Sequence, residues 1–358
     1  MTRLLHHAAV AILSLSLTSI VLNSVVEESS NTGTLRFAAQ TQGIFFGAAV
    51  VAQPLKNDAR YASALSREFN IVTPEDEMKF GFLRPKRNEF NFSAADSIVN
   101  FAFSNSMQVR GHTLVWHQRL PQWLTERHLS PFEVAVILKE HIQTVVGHYR
   151  GRIYAWDVVN EAIDDNTKYR SSIWLDALGP GYVSFAFRWA HEADPQAKLF
   201  YNDYGGEALG PKSDTIYDMI KTLKARSVPI DGIGLQSHLS ADHPPNFASV
   251  LANLKRLTAL GLEIHITELD VAITMPATAE KLQRQANIYR DYIKTCLAVP
   301  NCKAIVMWGA TDRYSWVPRF VPGKGAPLLL DDELRPKPAY YAALSELRSG
   351  IRFTTTLP

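Results

Sequence analysis

Cysteine is scarce in this chain: Cys296 and Cys302 are the 2 among 358 residues. That excludes a small disulfide-stapled scaffold and a zinc site built on repeated cysteine pairs. Neither sign of charge dominates, with 37 Lys and Arg against 35 Asp and Glu and a net charge of +2. A nucleic-acid partner would demand a strong basic excess, so none is implied. No linker, charge run or low-complexity block interrupts the sequence after residue 35. No G-x-G-x-x-G or G-x-x-x-x-G-K-[ST] loop offers a nucleotide cradle, no H-E-x-x-H pair suggests zinc, and no G-x-S-x-G elbow supports a serine nucleophile. What remains is a globular chain that calls for neither a metal nor a cofactor.

The apolar run "AAVAILSLSLTSIVL" (8–22) follows Arg3 and precedes a polar stretch. It reads as a secretory signal, and its continuation to Val26 leaves a retained anchor as the alternative. Residues 1–35 are therefore assigned to the signal and spacer, 36–350 to one domain, and 351–358 to a tail. The mature protein is expected outside the cytoplasm, secreted or periplasmic, off the membrane unless the segment is kept, and monomeric. In that oxidising setting Cys296 and Cys302, in "CLAVPNC", read as a disulfide pinning a local turn.

Short apolar, β-branched runs alternate with helical patterns along the domain. "IFFGAAV" (44–50), "NIVTP" (70–74), "QVRGHTLVW" (108–116) and "IYAWDVV" (153–159) read as strands. "AKLFYND" (197–203), "DGIGLQ" (231–236), "LEIHITE" (262–268) and "KAIVMWG" (303–309) continue the series. Between them, stretches such as 131–149, 181–193, 213–226 and 247–260 repeat apolar residues at three and four, as amphipathic helices require. Strand alternating with helix points to an α/β fold, a single-domain (β/α)8 TIM barrel. Periodicity does not fix strand order, so an open doubly wound sheet survives this step.

In a barrel the site gathers at the C-terminal strand ends. There the sequence places Glu75, Asp76 and Lys79; His112, Trp116 and His117; Asn160 and Glu161; Asn202, Asp203 and Tyr204; Gln236 and His238; Glu268 and Asp270; and Trp308. A lone strand-end glutamate is usually a helix-opening acid suited to the dipole. A whole ring of amides, imidazoles, carboxylates and indoles suggests one cleft. Two carboxylates flanking a bond suit glycoside hydrolysis, in which one protonates the leaving oxygen and the other attacks or activates water. Trp156, Trp174 and Trp189, lying mid-strand or mid-helix, are expected in the core.

"GHTLVWH" (111–117), "WDVVNEA" (156–162), "DGIGLQSHL" (231–239), "ITELD" (266–270) and "WGATDRYSW" (308–316) resemble, in order, the motifs of glycoside hydrolase family 10. That resemblance implies a retaining endo-β-1,4-xylanase acting on xylan or xylo-oligosaccharides. It makes Glu161 the acid/base and Glu268 the nucleophile, with carboxyl groups about 5–5.5 Å apart. Asn160 would hold the sugar 2-OH, His238 would keep Glu268 ionised, Asp270 would orient His238, and Gln236 would lie beside Glu161. Glu75, Lys79, His112 and Trp116 would contact sugars on the non-reducing side, under Trp308 and Trp316, with Tyr204 stacking on the other side.

The sequence departs from the family pattern at three places. "EDEMK" puts Asp76 where an Asn is usual, Arg119 stands where a Gln is usual, and Gly205 replaces an Asn. Asp76 keeps an acceptor and loses the amide donor, so sugar binding two units from the cut is expected to weaken or to depend on pH. Arg119 shifts the same outer region. A β-1,4-glycanase of mixed glucan preference and a non-catalytic sugar-binding barrel are the alternatives.

Overall fold

The computed structural model describes residues 33–126 and 128–349, and the proposed signal segment up to residue 32 and the tail 351–358 lie outside the described residues. Eight parallel strands close into a ring: β1 (Phe45–Val50), β2 (Ile71–Pro74), β3 (Gln108–Val115), β4 (Ala155–Asn160), β5 (Lys198–Asp203), β6 (Gly232–Leu235), β7 (Glu263–Thr274) and β8 (Cys302–Met307). β1 pairs with β2 on one side and β8 on the other, with Gly47 opposite both Ile71 and Val306. This closure selects the barrel and removes the open-sheet alternative.

The helices show why the intervening segments fold as they do. The helix Pro131–His148 begins at Ser130, whose hydroxyl accepts from the Glu133 N–H while Glu133 reaches back to the Ser130 N–H. Pro131 fits the first turn, where no N–H is needed. Val134, Ile137, Leu138, Ile142 and Val145 form its buried face. The helix Leu35–Thr41 packs on the last helix, Pro338–Ser349, where Gln42 Nε2 donates to the Leu347 carbonyl at 2.7 Å. Cys296 and Cys302 form a disulfide between the end of helix Ala279–Leu297 and the start of β8.

Two expectations shift. β7 does not stop near Glu268 but runs on to Thr274, because outside the barrel it pairs with His238–Ser240 and with Lys324–Gly325. Trp156 and Trp174 are core residues, whereas Trp189 is only partly buried and stacks on the exposed Phe185 at the helix surface.

Inside the ring, charged side chains pair across strands. Arg110 on β3 binds the Asp157 carboxylate through Nε at 3.2 Å and also through Nη2, and its Nη1 meets His265 Nδ1 at 2.5 Å. His265 Nε2 faces Glu263 Oε1 at 2.9 Å, and Asp157 Oδ2 meets His112 Nδ1 at 3.0 Å. Burial and the neighbouring Arg110 hold His265 down to about 4, so it is neutral at pH 7.

Gly111 and Trp156 are register partners on β3 and β4, and a Cβ at Gly111 would fall 2.2 Å from the Trp156 ring. Gly111→Ala is expected to lose about 2 kcal/mol or more of stability by overpacking. Gly147→Ala, in open space on a helix, should gain up to about 1 kcal/mol. Urea unfolding of both variants checks the pair; equal effects would contradict the packing described.

Candidate active site

Glu161 follows β4 with a left-handed backbone (φ 56°), a conformation that costs a non-glycine residue about 1 kcal/mol. The turn is held by the Glu161 N–H donating to the Asn202 carbonyl at 2.8 Å and by Arg170 Nε donating to the Glu161 carbonyl at 3.0 Å. It aims the side chain into the cleft, where Oε1 accepts from Gln236 Nε2 at 3.0 Å and Asn160 Nδ2 at 3.2 Å. His117 Nδ1 lies 3.9 Å from Oε2. Burial depresses the His117 pKa, with Arg170 adding to the effect and Glu161 opposing it.

Glu268 lies inside β7, and its N–H donates to the Gln236 carbonyl at 3.0 Å. Its Oε1 accepts from Asn202 Nδ2 at 2.8 Å, and Oε2 accepts from His238 Nε2 at 3.1 Å. The other His238 nitrogen donates to Asp270 Oδ2 at 2.9 Å, an oxygen that also accepts from Trp316 Nε1 at 2.8 Å. The strand extension accounts for this order: His238 and Asp270 are register partners in the pairing beyond the barrel. Ionised carboxylates only accept, so a ring flanked by two of them donates from both nitrogens, which is the imidazolium form. Burial opposes that charge, but Asp270 and Glu268 raise His238 well above its ordinary 6.5. Burial likewise opposes ionisation of Glu268, and the His238 hydrogen bond, His112 and Asn202 together hold it below its ordinary value.

A run of amides joins the two glutamates. Asn202 Nδ2 donates to Asn160 Oδ1 at 2.8 Å as well as to Glu268, while Asn202 Oδ1 accepts from Thr267 at 2.6 Å. Gln236 Nε2 also reaches Asn160 Oδ1 at 3.3 Å. Asn202 stands among the strand-end residues in the sequence, but nothing there gave it this bridging part. Its register opposite Asn160 on β4 explains the contact.

Toward one rim, the Lys79 ammonium is buried 5.1 Å from the Trp116 ring centroid and 5.9 Å from that of Trp308, and it donates to Asp76 Oδ1 at 2.8 Å. Arg119 Nε lies 3.9 Å from the same oxygen. Burial and the Asp76 charge push Glu75 up to about 8, against the pull of Lys79, so it enters neutral pH protonated. His112 is fixed by Asp157 and meets Trp308 edge-on at 5.2 Å. Trp116 Nε1 is buried without a hydrogen-bond partner among the described residues. On the opposite side the Tyr204 hydroxyl accepts from Arg170 at 2.9 Å and donates to Asp165 at 3.1 Å. Lys212 Nζ lies 3.4 Å over the Tyr204 ring and 3.2 Å from Asp203. Burial raises Asp203 to about 7, against Lys212 and Tyr201. Gly205 beside it adopts φ 67°. The strand-end candidates therefore converge on one cleft. Cys296 and Cys302 sit apart from it, at the opposite end of β8 from Trp308. Among the described residues no group of three or more His, Cys, Asp or Glu is placed to hold a metal ion.

Two glutamates at the C-terminal mouth of a (β/α)8 barrel, one of them hydrogen-bonded as a carboxylate, among indoles and amides, are the arrangement that a glycoside hydrolase needs. The model of glycosyl hydrolase family 10 matches residues 34–346. Endo-1,4-beta-xylanase B of Thermotoga neapolitana is 44% identical over 326 residues, covering 90% of this chain and 94% of that protein. The Agaricus bisporus endo-1,4-beta-xylanase is 40% identical, covering 83% and 89%. Xylanase 10B from Thermotoga petrophila, solved in complex with xylobiose, superimposes with a TM-score of 0.87 at 45% identity, covering 89% of this chain and 98% of that one. The chain belongs to glycosyl hydrolase family 10.

Linkage gives the sign of a pH effect. His238 is raised on folding, so its stabilising contribution is complete below the ordinary 6.5 and is lost as pH rises through the folded value. Asp270→Asn removes its principal counter-charge. The variant's stability deficit should be large at about pH 6 and shrink by about pH 9.5. Urea unfolding at both pH values measures it, and a deficit that grows with pH would refute the charged imidazole.

Proposed function

We propose that this chain is a retaining endo-1,4-β-xylanase in which Glu161 is the acid/base and Glu268 the nucleophile. The observation that carries the assignment is the unequal treatment of the two carboxylates. Glu268 receives an imidazolium and an amide N–H, which favour its ionised form, whereas among the described residues Glu161 is hydrogen-bonded by side-chain amides, with His117 no nearer than 3.9 Å. Asn160 lies between them, beside the position a sugar 2-OH would take.

In the first step Glu161 gives its proton to the glycosidic oxygen while Glu268 attacks the anomeric carbon. The C–O bond breaks, the aglycone leaves with the proton, and a glycosyl ester forms on Glu268. Water then attacks that carbon, Glu161 takes a proton from it, and the ester bond breaks to release Glu268 as carboxylate with net retention. Asn202 and His238 keep Glu268 oriented in both steps, and Asp270 orients His238. Lys79, His112, Glu75 and the indoles of Trp116, Trp308 and Trp316 hold sugars on one side of the cut. Tyr204 stacks on the other side. The substrate is xylan or xylo-oligosaccharide, the product class represented by the xylobiose in the Thermotoga petrophila structure.

Glu161→Gln should lower kcat/KM on xylan by about 10²–10⁴-fold yet spare kcat/KM for aryl xylobiosides whose leaving group needs no proton, while their kcat falls because the glycosyl ester is no longer hydrolysed with a base. Glu268→Gln should be inactive on both. Reducing-sugar release from xylan and barley glucan, with NMR of the first anomer formed, tests the scheme. Activity on glucan alone, or an inverted first product, would overturn it.

The apolar run at 8–22, read as a leader, supports a secreted or periplasmic enzyme, and we propose that it works as a monomer. N-terminal sequencing of the mature protein should start downstream of the apolar run, and sedimentation should give a single-chain mass. An intact Met1 or a stable dimer would refute the corresponding part.

A further inference from the structure

The charges at Asp76 and Arg119 stand where the family pattern has two neutral amides, and they are close to each other and to Lys79. Lys79 Nζ and Arg119 Nε lie 2.8 and 3.9 Å from a single oxygen, Asp76 Oδ1. At neutral pH two cations share one carboxylate. Neighbouring Glu75, raised by burial to about 8, adds no compensating charge. Asp76 is thus shared between two cations, and its own N–H donates to Glu77 at 3.2 Å.

The two cations are placed differently. The Lys79 side chain is 8% exposed and confined between Trp116 and Trp308, whereas that of Arg119 is 46% exposed at the rim. Among the described residues the only polar side-chain contact of Arg119 is the long one to Asp76. A half-exposed pair at that distance contributes almost nothing to stability. The backbone at Arg119 is left-handed (φ 55°), and its carbonyl accepts from the Gly81 N–H at 2.9 Å. A Cβ at Gly81 would lie 2.6 Å from that oxygen, so glycine is required there for the loop to close. The loop thus fixes the Arg119 backbone, while its guanidinium stays half-exposed at the mouth of the cleft with only that long contact, free to meet an anionic ligand.

We propose that Arg119 binds the carboxylate of a uronic-acid branch on the xylan main chain, making acidic xylan the preferred substrate. The inference rests on the xylanase reading. A planar guanidinium suits a carboxylate because its parallel N–H groups meet both oxygens. Asp76 limits the effect to the rim: it neutralises Lys79 below and leaves Arg119 as the outward cation.

The experiment compares kcat/KM for a uronic-acid-branched xylo-oligosaccharide and for the same molecule with its carboxyl reduced to the alcohol. The wild type should favour the acid about fivefold at low salt, with the preference fading as salt is added. Arg119→Gln should bring the acid-to-alcohol ratio to about one, and Arg119→Lys should retain part of it. The same ratio in the wild type and Arg119→Gln, or no wild-type preference, would overturn the inference while leaving the xylanase reading intact. A wild type that cleaves neither oligosaccharide would overturn both.

Discussion

The amide of Asn202 holds the site together. Its nitrogen serves Asn160 and Glu268, its oxygen is fixed by Thr267, and its backbone carbonyl anchors the Glu161 turn. A Cβ at Gly234 would lie 2.2 Å from that amide oxygen, so the neighbouring strand must be bare there. One planar group thus sets the relative position of two carboxylates that arrive on β4 and β7. Charge at this point would fail: an aspartate could not donate to Glu268, and it would repel it.

Beneath this lies the column of buried charge through the barrel, from Glu263 through His265 and Arg110 to Asp157 and His112. Burying charge is costly unless every member is paired, and here each is. The column fixes the His112 ring from below, next to Trp308. The column also reaches the cleft, since His112 is among the groups that depress the Glu268 carboxyl. The filling of the barrel and the electrostatics of the cleft are thus one system.

The strand ends were legible because each follows a short apolar run, and a ring of polar residues at those ends is a strong local signal. Glu161, Glu268, His238 and Asp270 were within reach of such reading. The bridging part of Asn202 was not, because it depends on which way an amide points across two strands. Arg110 and Asp157 are visible as charges inside apolar runs, but their mutual pairing is non-local. The continuation of β7 past Glu268 was hidden for the same reason: its partners, His238–Ser240 and Lys324–Gly325, come from distant segments. Trp189 failed as a core residue because a helix position does not reveal how wide the buried stripe is.

The β1–β8 seam also sets an order of events. β1 begins at Phe45 and its second partner at Cys302, so this pairing spans nearly the whole described chain and its loop-closure entropy is the largest in the ring. A chain emerging from its N-terminus can add β2 to β1 and each strand to the last, yet until β8 arrives β1 and β7 remain open sheet edges. Open edges recruit other chains. The helix Pro338–Ser349 follows β8 and packs on Leu35–Thr41 and Ala279–Leu297, the helices that contact β1 and β8, so the last described element is laid over the first beside this seam.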